Sequence, residues 1–335
     1  MIHIINYIIM HFARKINTKF ENNEKSLSAG TNDTELHKIK LTNSYLKGVR
    51  EMPLLTTFGV IGGDERMRYL ASGIAKDGYS VYVTGLEKLG ACGGAETASM
   101  QELIEKSSVI ILPLPVTRDG KTFNAPYSEQ IISLDDSLAE KMKGKIVYGG
   151  MLQKLISSSK AWREIGMEDY YGREELAVGN AIPTAEGALG VAIKEYPGTL
   201  NGSECLVTGF GRIGKNLSML LHGMGAKVSA AARKKEDLML MRSMGVRPLK
   251  YREISEKFDI IFNTVPTEVI GAQILNRQGT DTLIIELASA PGGIDRAYAE
   301  KCGIRVIDAP SLPGITAPKT AAEYIKEAIY NMLEE

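Results

Sequence analysis

Short, continuous apolar runs separated by helix-length patterns set the rhythm of this chain from residue 58 onward. FGVIG (58–62), SVYVTG (80–85), VIILPLP (109–115) and KIVYGG (145–150) are apolar throughout rather than alternating. Strands read this way when both faces are covered, as in a parallel sheet. Asp64 to Lys76, between the first two, has a helical pattern. A second series follows: ECLVTG (204–209), AKVSAAA (226–232), FDIIFNTV (258–265), TLIIELA (282–288) and IRVIDAP (304–310). Strand and helix in alternation predict βαβ units. Between the series, NAIPTAEGALGVAIKEYPGTLNG places Pro183 and Thr184 ahead of an unbroken run of small residues. That text predicts a linking helix over 184–200, with Thr184 and Glu186 at its start as a capping pair or facing the interdomain region. The last segment, PKTAAEYIKEAIYNMLEE, carries an apolar stripe at Ala322, Ile325, Ile329 and Leu333. The predicted fold is α/β: two doubly wound, Rossmann-like domains, 53–183 and 201–310, with a cleft between them. Helix 318–333 is expected to return to the first domain.

Composition changes this picture little. The chain has 335 residues, 44% hydrophobic and 24% charged, with no net charge. That is enough for two cored domains, and a neutral total argues against an extended nucleic-acid footprint. The cysteines, Cys92, Cys205 and Cys302, have neither disulfide-framework nor zinc-site spacing, so no metal is expected. The first 52 residues read differently. MIHIINYIIMHF is apolar but shorter than the roughly 20 residues a bilayer span needs. It lacks the basic lead of a secretory signal. ENNEKSLSAGTNDTELHK is polar and turn-rich. Residues 1–52 are therefore expected to be a disordered leader, or to precede a true start near Met52. No membrane association is expected, and a cytoplasmic location is.

GFGRIG gives Gly209, Gly211 and Gly214 a GxGxxG spacing between an apolar strand and a helix, with a second strand following. In that context Gly209 makes the tight turn, Gly211 leaves room for a pyrophosphate, and Gly214 lets the helix lie close to the sheet. Arg212 and Ile213 complete the motif, where backbone N–H groups receive the anion. An acidic residue usually follows about twenty residues on, to accept hydrogen bonds from an NAD ribose. Here Ala232, Arg233, Lys234 and Lys235 stand near that place. Arg233 and Lys234 fit a 2′-phosphate, so NADP is the expected cofactor, with NAD as the alternative. The loops after the next strands should flank the ribose and nicotinamide. They supply Thr264, Val265 and Pro266 from NTVP and Ala288 and Ser289 from ASAPGG, ahead of the Gly292–Gly293 turn.

Six motifs fall in order along the chain: GGDERM (62–67), NAIPTAEGA (180–188), GFGRIG, NTVP, ASAPGG and PSLPGITAPKTA (310–321). Together they resemble the family of the dipicolinate synthase A subunit. The nucleotide half alone is also similar to 2-hydroxyacid dehydrogenases and S-adenosylhomocysteine hydrolases. The resemblance implies an oxidoreductase of spore formers. Its reaction would take a dihydrodipicolinate-level precursor from the lysine pathway to dipicolinate, with a flavoprotein-like B subunit as partner. It also implies a small dicarboxylate substrate and a mother-cell location. Two other readings stay open: a non-catalytic NADP-binding scaffold for the B subunit, and a stand-alone dehydrogenase for amino or hydroxy acids. Homo-oligomerisation is open as well.

Outside the leader the chain has one histidine, His222, at the far end of the helix after the glycine turn. A His–Glu acid/base pair is therefore not expected. A dicarboxylate substrate calls for cationic clamps. Arg66, after Gly62–Gly63, is the candidate for one carboxylate, and Asp64 either orients it or caps the helix. Lys319, in the APKT turn, is either a second clamp or base or a solvated lysine. Arg118 and Lys121, on the loop after VIILPLP, are weaker candidates.

Overall fold

The continuous apolar runs become parallel strands. The structure, a computed structural model, describes residues 56–335, so the expectations for residues 1–52 lie outside the described residues. The first sheet contains β1 (Thr57–Ile61), β2 (Ser80–Thr84), β3 (Glu96–Thr97), β4 (Val109–Ile111), β5 (Ile146–Gly149) and β6 (Met167–Asp169). Its spatial order is β3-β2-β1-β4-β5-β6. The second contains β7 (Glu204–Thr208), β8 (Lys227–Ala231), β9 (Arg247–Leu249), β10 (Ile260–Asn263), β11 (Leu283–Glu286) and β12 (Arg305–Asp308), ordered β12-β11-β10-β7-β8-β9. Counted within its own half, each sheet runs 3-2-1-4-5-6, the doubly wound order of a Rossmann-like domain. The central strands β4, β10 and β11 are buried at every position, which is why they read as unbroken apolar text.

Six helices frame the two sheets where the candidate residues lie: α1 (Glu65–Lys76), α2 (Glu174–Glu195), α3 (Arg212–Gly223), α4 (Lys235–Ser243), α5 (Leu312–Thr316) and α6 (Pro318–Glu334). The linking helix differs from its prediction. Rather than occupying 184–200, it begins at Glu174 and ends at Glu195, with Pro183 inside it. Proline removes one intrahelical hydrogen bond and normally ends or kinks a helix. Here packing outweighs that loss. Gly179 lies under the Tyr324 ring, where a Cβ would stand 2.7 Å from the ring, and Gly187 lies under Leu312 and Thr316. Thr184 is therefore no cap; its hydroxyl donates to the Asn180 carbonyl one turn back, at 2.6 Å. Glu186 is exposed. Leu176 belongs to the core of the first sheet, while Ala185, Ala188, Leu189 and Ala192 belong to that of the second. Among the described residues α2 is the one helix long and apolar enough to cross a membrane, yet half of its most apolar window is buried in protein.

The stripe on α6 is buried against the first sheet's helix. Ala322, Ile325, Ala328 and Ile329 share a core with Phe58, Met67, Leu70 and Ile74. A polar tie reinforces the contact. Lys326 Nζ lies 3.0 Å from Asp77 and 2.9 Å from Glu323, and the Tyr330 hydroxyl donates to Asp77 at 3.0 Å. Burial works against the Lys326 ammonium, but the Glu323 and Asp77 carboxylates outweigh it and raise its pKa. A raised lysine pKa contributes stability that is complete below the unfolded value, 10.5. That stability is lost as pH climbs through the higher folded value. The melting-temperature gap between the parent chain and Lys326→Met is thus expected to hold from about pH 7 to about pH 9 and to close above 10.5. A gap that persists undiminished into that alkaline range would remove the tie from the account.

Candidate functional site

The strand order of the second sheet reverses between β7 and β10, and in open α/β sheets ligands lie beyond the strand ends at that point. Two of the three motif glycines there are packed and one is open. Gly209 follows β7 with φ +90°, and a Cβ on it would overlap Thr264 Oγ1 and stand 2.8 Å from Val265 Cγ2. A Cβ on Gly214 would overlap the Gly209 carbonyl oxygen, so α3 rides directly on the turn. Among the described residues, a Cβ on Gly211 would meet nothing within 4 Å apart from its chain neighbours. Gly211 is also the N-cap of α3, and no side chain caps that end. The first N–H groups of α3, from Arg212, Ile213 and Gly214, therefore face an open space with the helix dipole behind them. These features fit the pyrophosphate of a dinucleotide.

The first sheet has a similar double-glycine turn. Gly62 and Gly63, at φ +56° and +92°, donate their N–H groups to the Thr84 and Asn124 carbonyls. A Cβ on Gly62 would come within 2.8 Å of Ala125 Cβ. The chain's own loop at 124–125 thus packs on the turn after β1, as the 264–265 loop packs on Gly209 in the second sheet.

On the β8 side of the turn, Arg233 and Lys234 follow the strand and are exposed. The nearby carboxylate of Asp237 is turned to Lys215, 3.6 Å away. The Ala232 N–H donates to the Leu249 carbonyl, which brings the end of β9 and Tyr251 alongside. Burial pushes the Tyr251 phenol up, and the neighbouring Arg233 guanidinium and Gly209 N–H act against it. On the β10 side, Thr264 Oγ1 donates to the Thr208 carbonyl at 2.8 Å. Gly293 comes so near the NTVP loop that a Cβ on it would lie 2.8 Å from the Thr267 carbonyl oxygen. Pro266 and Ser289 are exposed and Ala288 is half-buried.

Residues 57–170 match the family described as the N-terminal domain of the dipicolinate synthase A subunit. Residues 186–290 match the NAD-binding domain of D-isomer-specific 2-hydroxyacid dehydrogenases. The dipicolinate synthase A subunit of Bacillus subtilis (strain 168) is 31% identical over 282 residues, covering 82% of this chain and 95% of that protein. The chain belongs to the dipicolinate synthase A-subunit family. The crystal structure of the Bacillus subtilis A subunit has a TM-score of 0.73 at 29% identity, covering 83% of this chain and 96% of that one. That of the A subunit from Bacillus halodurans has a TM-score of 0.76 at 29% identity, covering 85% of this chain and all of that one, 100%. The dehydrogenase-type domain supports a nicotinamide dinucleotide as cofactor and an oxidoreductase role.

The remaining candidates of this dipicolinate synthase family member come from the first sheet's turn and the last helix. Asp64 caps α1, accepting from the Arg66 N–H at 3.1 Å, and also binds the Arg66 guanidinium through both oxygens, at 2.9 and 2.7 Å. It therefore both caps the helix and holds the Arg66 side chain. Arg66 is 8% exposed and donates further to the Leu114 carbonyl at 2.9 Å. Burial opposes its charge, but the Asp64 carboxylate prevails and raises its pKa. Gly314 of α5 covers the pair, where a Cβ would stand 2.9 Å from Arg66 Nε. Lys319 is exposed on the first turn of α6. Arg118 Nε donates to Asn124 at 3.2 Å, Lys121 is exposed, and His222 lies beside Gly245 at the far end of α3. Sequence reasoning missed Thr208, Asn263 and Glu286. Each is the last residue of an apolar strand, and the three stand side by side across β7, β10 and β11.

Proposed function

We propose that this chain binds NADP(H) at the Gly209–Gly214 turn and oxidises a dihydrodipicolinate-level precursor to dipicolinate, acting with a B subunit. The open space above Gly211, facing the uncapped start of α3, carries the reading. Family membership supplies the reaction class, and the exposed Arg233–Lys234 pair favours the 2′-phosphorylated cofactor. The bound nicotinamide would accept the hydride. The protein's part would be to hold the ring near it and neutralise two carboxylates, so that much of the rate comes from placement. Arg66 is the proposed clamp for one carboxylate, already oriented by Asp64, with Lys319 for the other. In this reading the protein works in the cytosol of a sporulating cell.

Arg66→Ala is expected to lower kcat/KM for the precursor at least about tenfold, the effect of losing one charge-assisted hydrogen bond, with the NADP dissociation constant unchanged. Full retained activity would eliminate Arg66. The proposed reaction itself is tested by mixing the chain with NADP and the aldehyde–pyruvate condensation product, with and without the B subunit. Ultraviolet absorbance of the pyridine product is then followed. Product formed only with NADP supports the reading, and none in either mixture contradicts it.

A second reading, a dinucleotide-binding scaffold without chemistry of its own, draws on one observation. The Arg66 guanidinium is held on two sides by Asp64 and buried under α5. Hydride transfer by the chain alone would exclude it.

A further inference from the structure

We infer that Glu286 is a positioning residue for the nicotinamide end of the dinucleotide, an inference that rests on the cofactor reading above. Glu286 ends β11 and is 3% exposed. A carboxylate so far from water needs donors. Glu286 has three, all N–H groups: Asn263 Nδ2 at 2.6 Å and Ala288 N at 3.0 Å on Oε1, and Gly293 N at 2.9 Å on Oε2.

The network then spreads sideways. Asn263 is unexposed, and its Nδ2 also donates to the Val265 carbonyl at 2.9 Å. Its Oδ1 accepts from Thr208 Oγ1 at 2.6 Å and from Val265 N at 3.2 Å. One buried carboxylate is thus linked to three loops. Thr208 precedes the glycine turn, Val265 lies in the NTVP loop, and Ala288 and Gly293 bracket the ASAPGG loop. The loop closes onto the network with nothing between. A Cβ at Gly292 would lie 2.9 Å from Glu286 Oε2, and one at Gly293 would lie 2.6 Å from Asn263 Nδ2.

Place in the sheet gives the network its role. The adenosine ribose belongs with the β8 side of the switch point, so the nicotinamide half belongs with β10 and β11. The Glu286 network lies under that second half. Its chemistry is also hard to replace. Both carboxylate oxygens accept from N–H donors, so a glutamine in either orientation sets its NH2 against a donor and leaves one loop without its anchor.

The test separates the two ends of the cofactor. NADPH and adenosine 2′,5′-bisphosphate, which lacks the nicotinamide half, are titrated into the full chain and into Glu286→Gln. The variant should bind NADPH about tenfold more weakly or worse, the effect expected of one lost buried acceptor, and the bisphosphate within about twofold. Unchanged NADPH affinity overturns the inference, as does an equal loss for both ligands, which marks general destabilisation. If Glu286→Gln does not fold, the isosteric Thr208→Val carries the test. It should lose about threefold for NADPH alone, and no loss overturns the inference. A parent chain that binds neither ligand overturns the cofactor reading itself, and the inference with it.

Discussion

Gly211→Asp is expected to leave the melting temperature of this chain unchanged or slightly raised while weakening dinucleotide binding by roughly a hundredfold or more. The two effects have opposite signs because of where Gly211 sits. Its backbone is extended, at φ −81° and ψ −157°, and a Cβ there meets nothing within 4 Å among the described residues apart from its chain neighbours. Aspartate is among the best N-cap residues, and no side chain now caps α3. The fold therefore has nothing to lose. The ligand does, because the new carboxylate would accept the same N–H groups that a pyrophosphate needs and would repel it. Loss of about two charge-assisted hydrogen bonds, at about 1.5 kcal/mol each or more, corresponds to a factor near ~150. Gly209 and Gly214 do not offer this separation, since a Cβ on either collides with backbone or with the 264–265 loop. Circular dichroism melts and a binding titration on the same preparation check the pair of outcomes. A variant that melts normally and binds as tightly as the parent would move the pyrophosphate away from this turn.

The second large effect concerns the phosphate at the other end. Arg233 and Lys234 follow β8 where a ribose-binding carboxylate usually stands, and both are exposed. Arg233→Asp removes a guanidinium able to grip a 2′-phosphate through two hydrogen bonds and puts a repelling charge in its place. The same carboxylate can accept from the two hydroxyls of an unphosphorylated ribose. A loss of about 2–3 kcal/mol for NADP together with a gain of about 1 kcal/mol for NAD would shift the ratio of their affinities by roughly two hundred- to eight hundredfold. Titrating both cofactors into both proteins measures it. An unmoved ratio would mean that Arg233 is a solvated residue at the approach to α4.

Much of this molecule was legible in its sequence because the central strands are buried on both faces. FGVI, VII, IIFN and LIIE have no solvent side to write polar residues on. Three of the four edge strands, all but Arg305–Asp308, were not legible for the converse reason. Glu96–Thr97 is a two-residue exposed strand, and Met167–Asp169 and Arg247–Leu249 each carry a charge and at least one exposed position. Pro183 misled for a different reason. A proline argues locally for a helix start, but the contacts that override it, Tyr324 over Gly179 and Leu312 over Gly187, join residues more than a hundred positions apart.

The site divides along the same line. The glycine turn and the basic residues after β8 are contiguous text, and a reading of the sequence can propose them. The Thr208–Asn263–Glu286 row exists only across three strands. In sequence each member is a polar residue closing an apolar run, and only parallel register reveals the row. The closure of the first sheet's glycine turn by Ala125 was equally invisible, since Gly62 and Ala125 meet only in the fold.

Calorimetric titration of NADP and NAD into the intact chain tests the central claim most directly. Saturable heat is expected for NADP at one site per chain, with NAD at least about tenfold weaker for want of the 2′-phosphate contacts. No heat from either dinucleotide would contradict it.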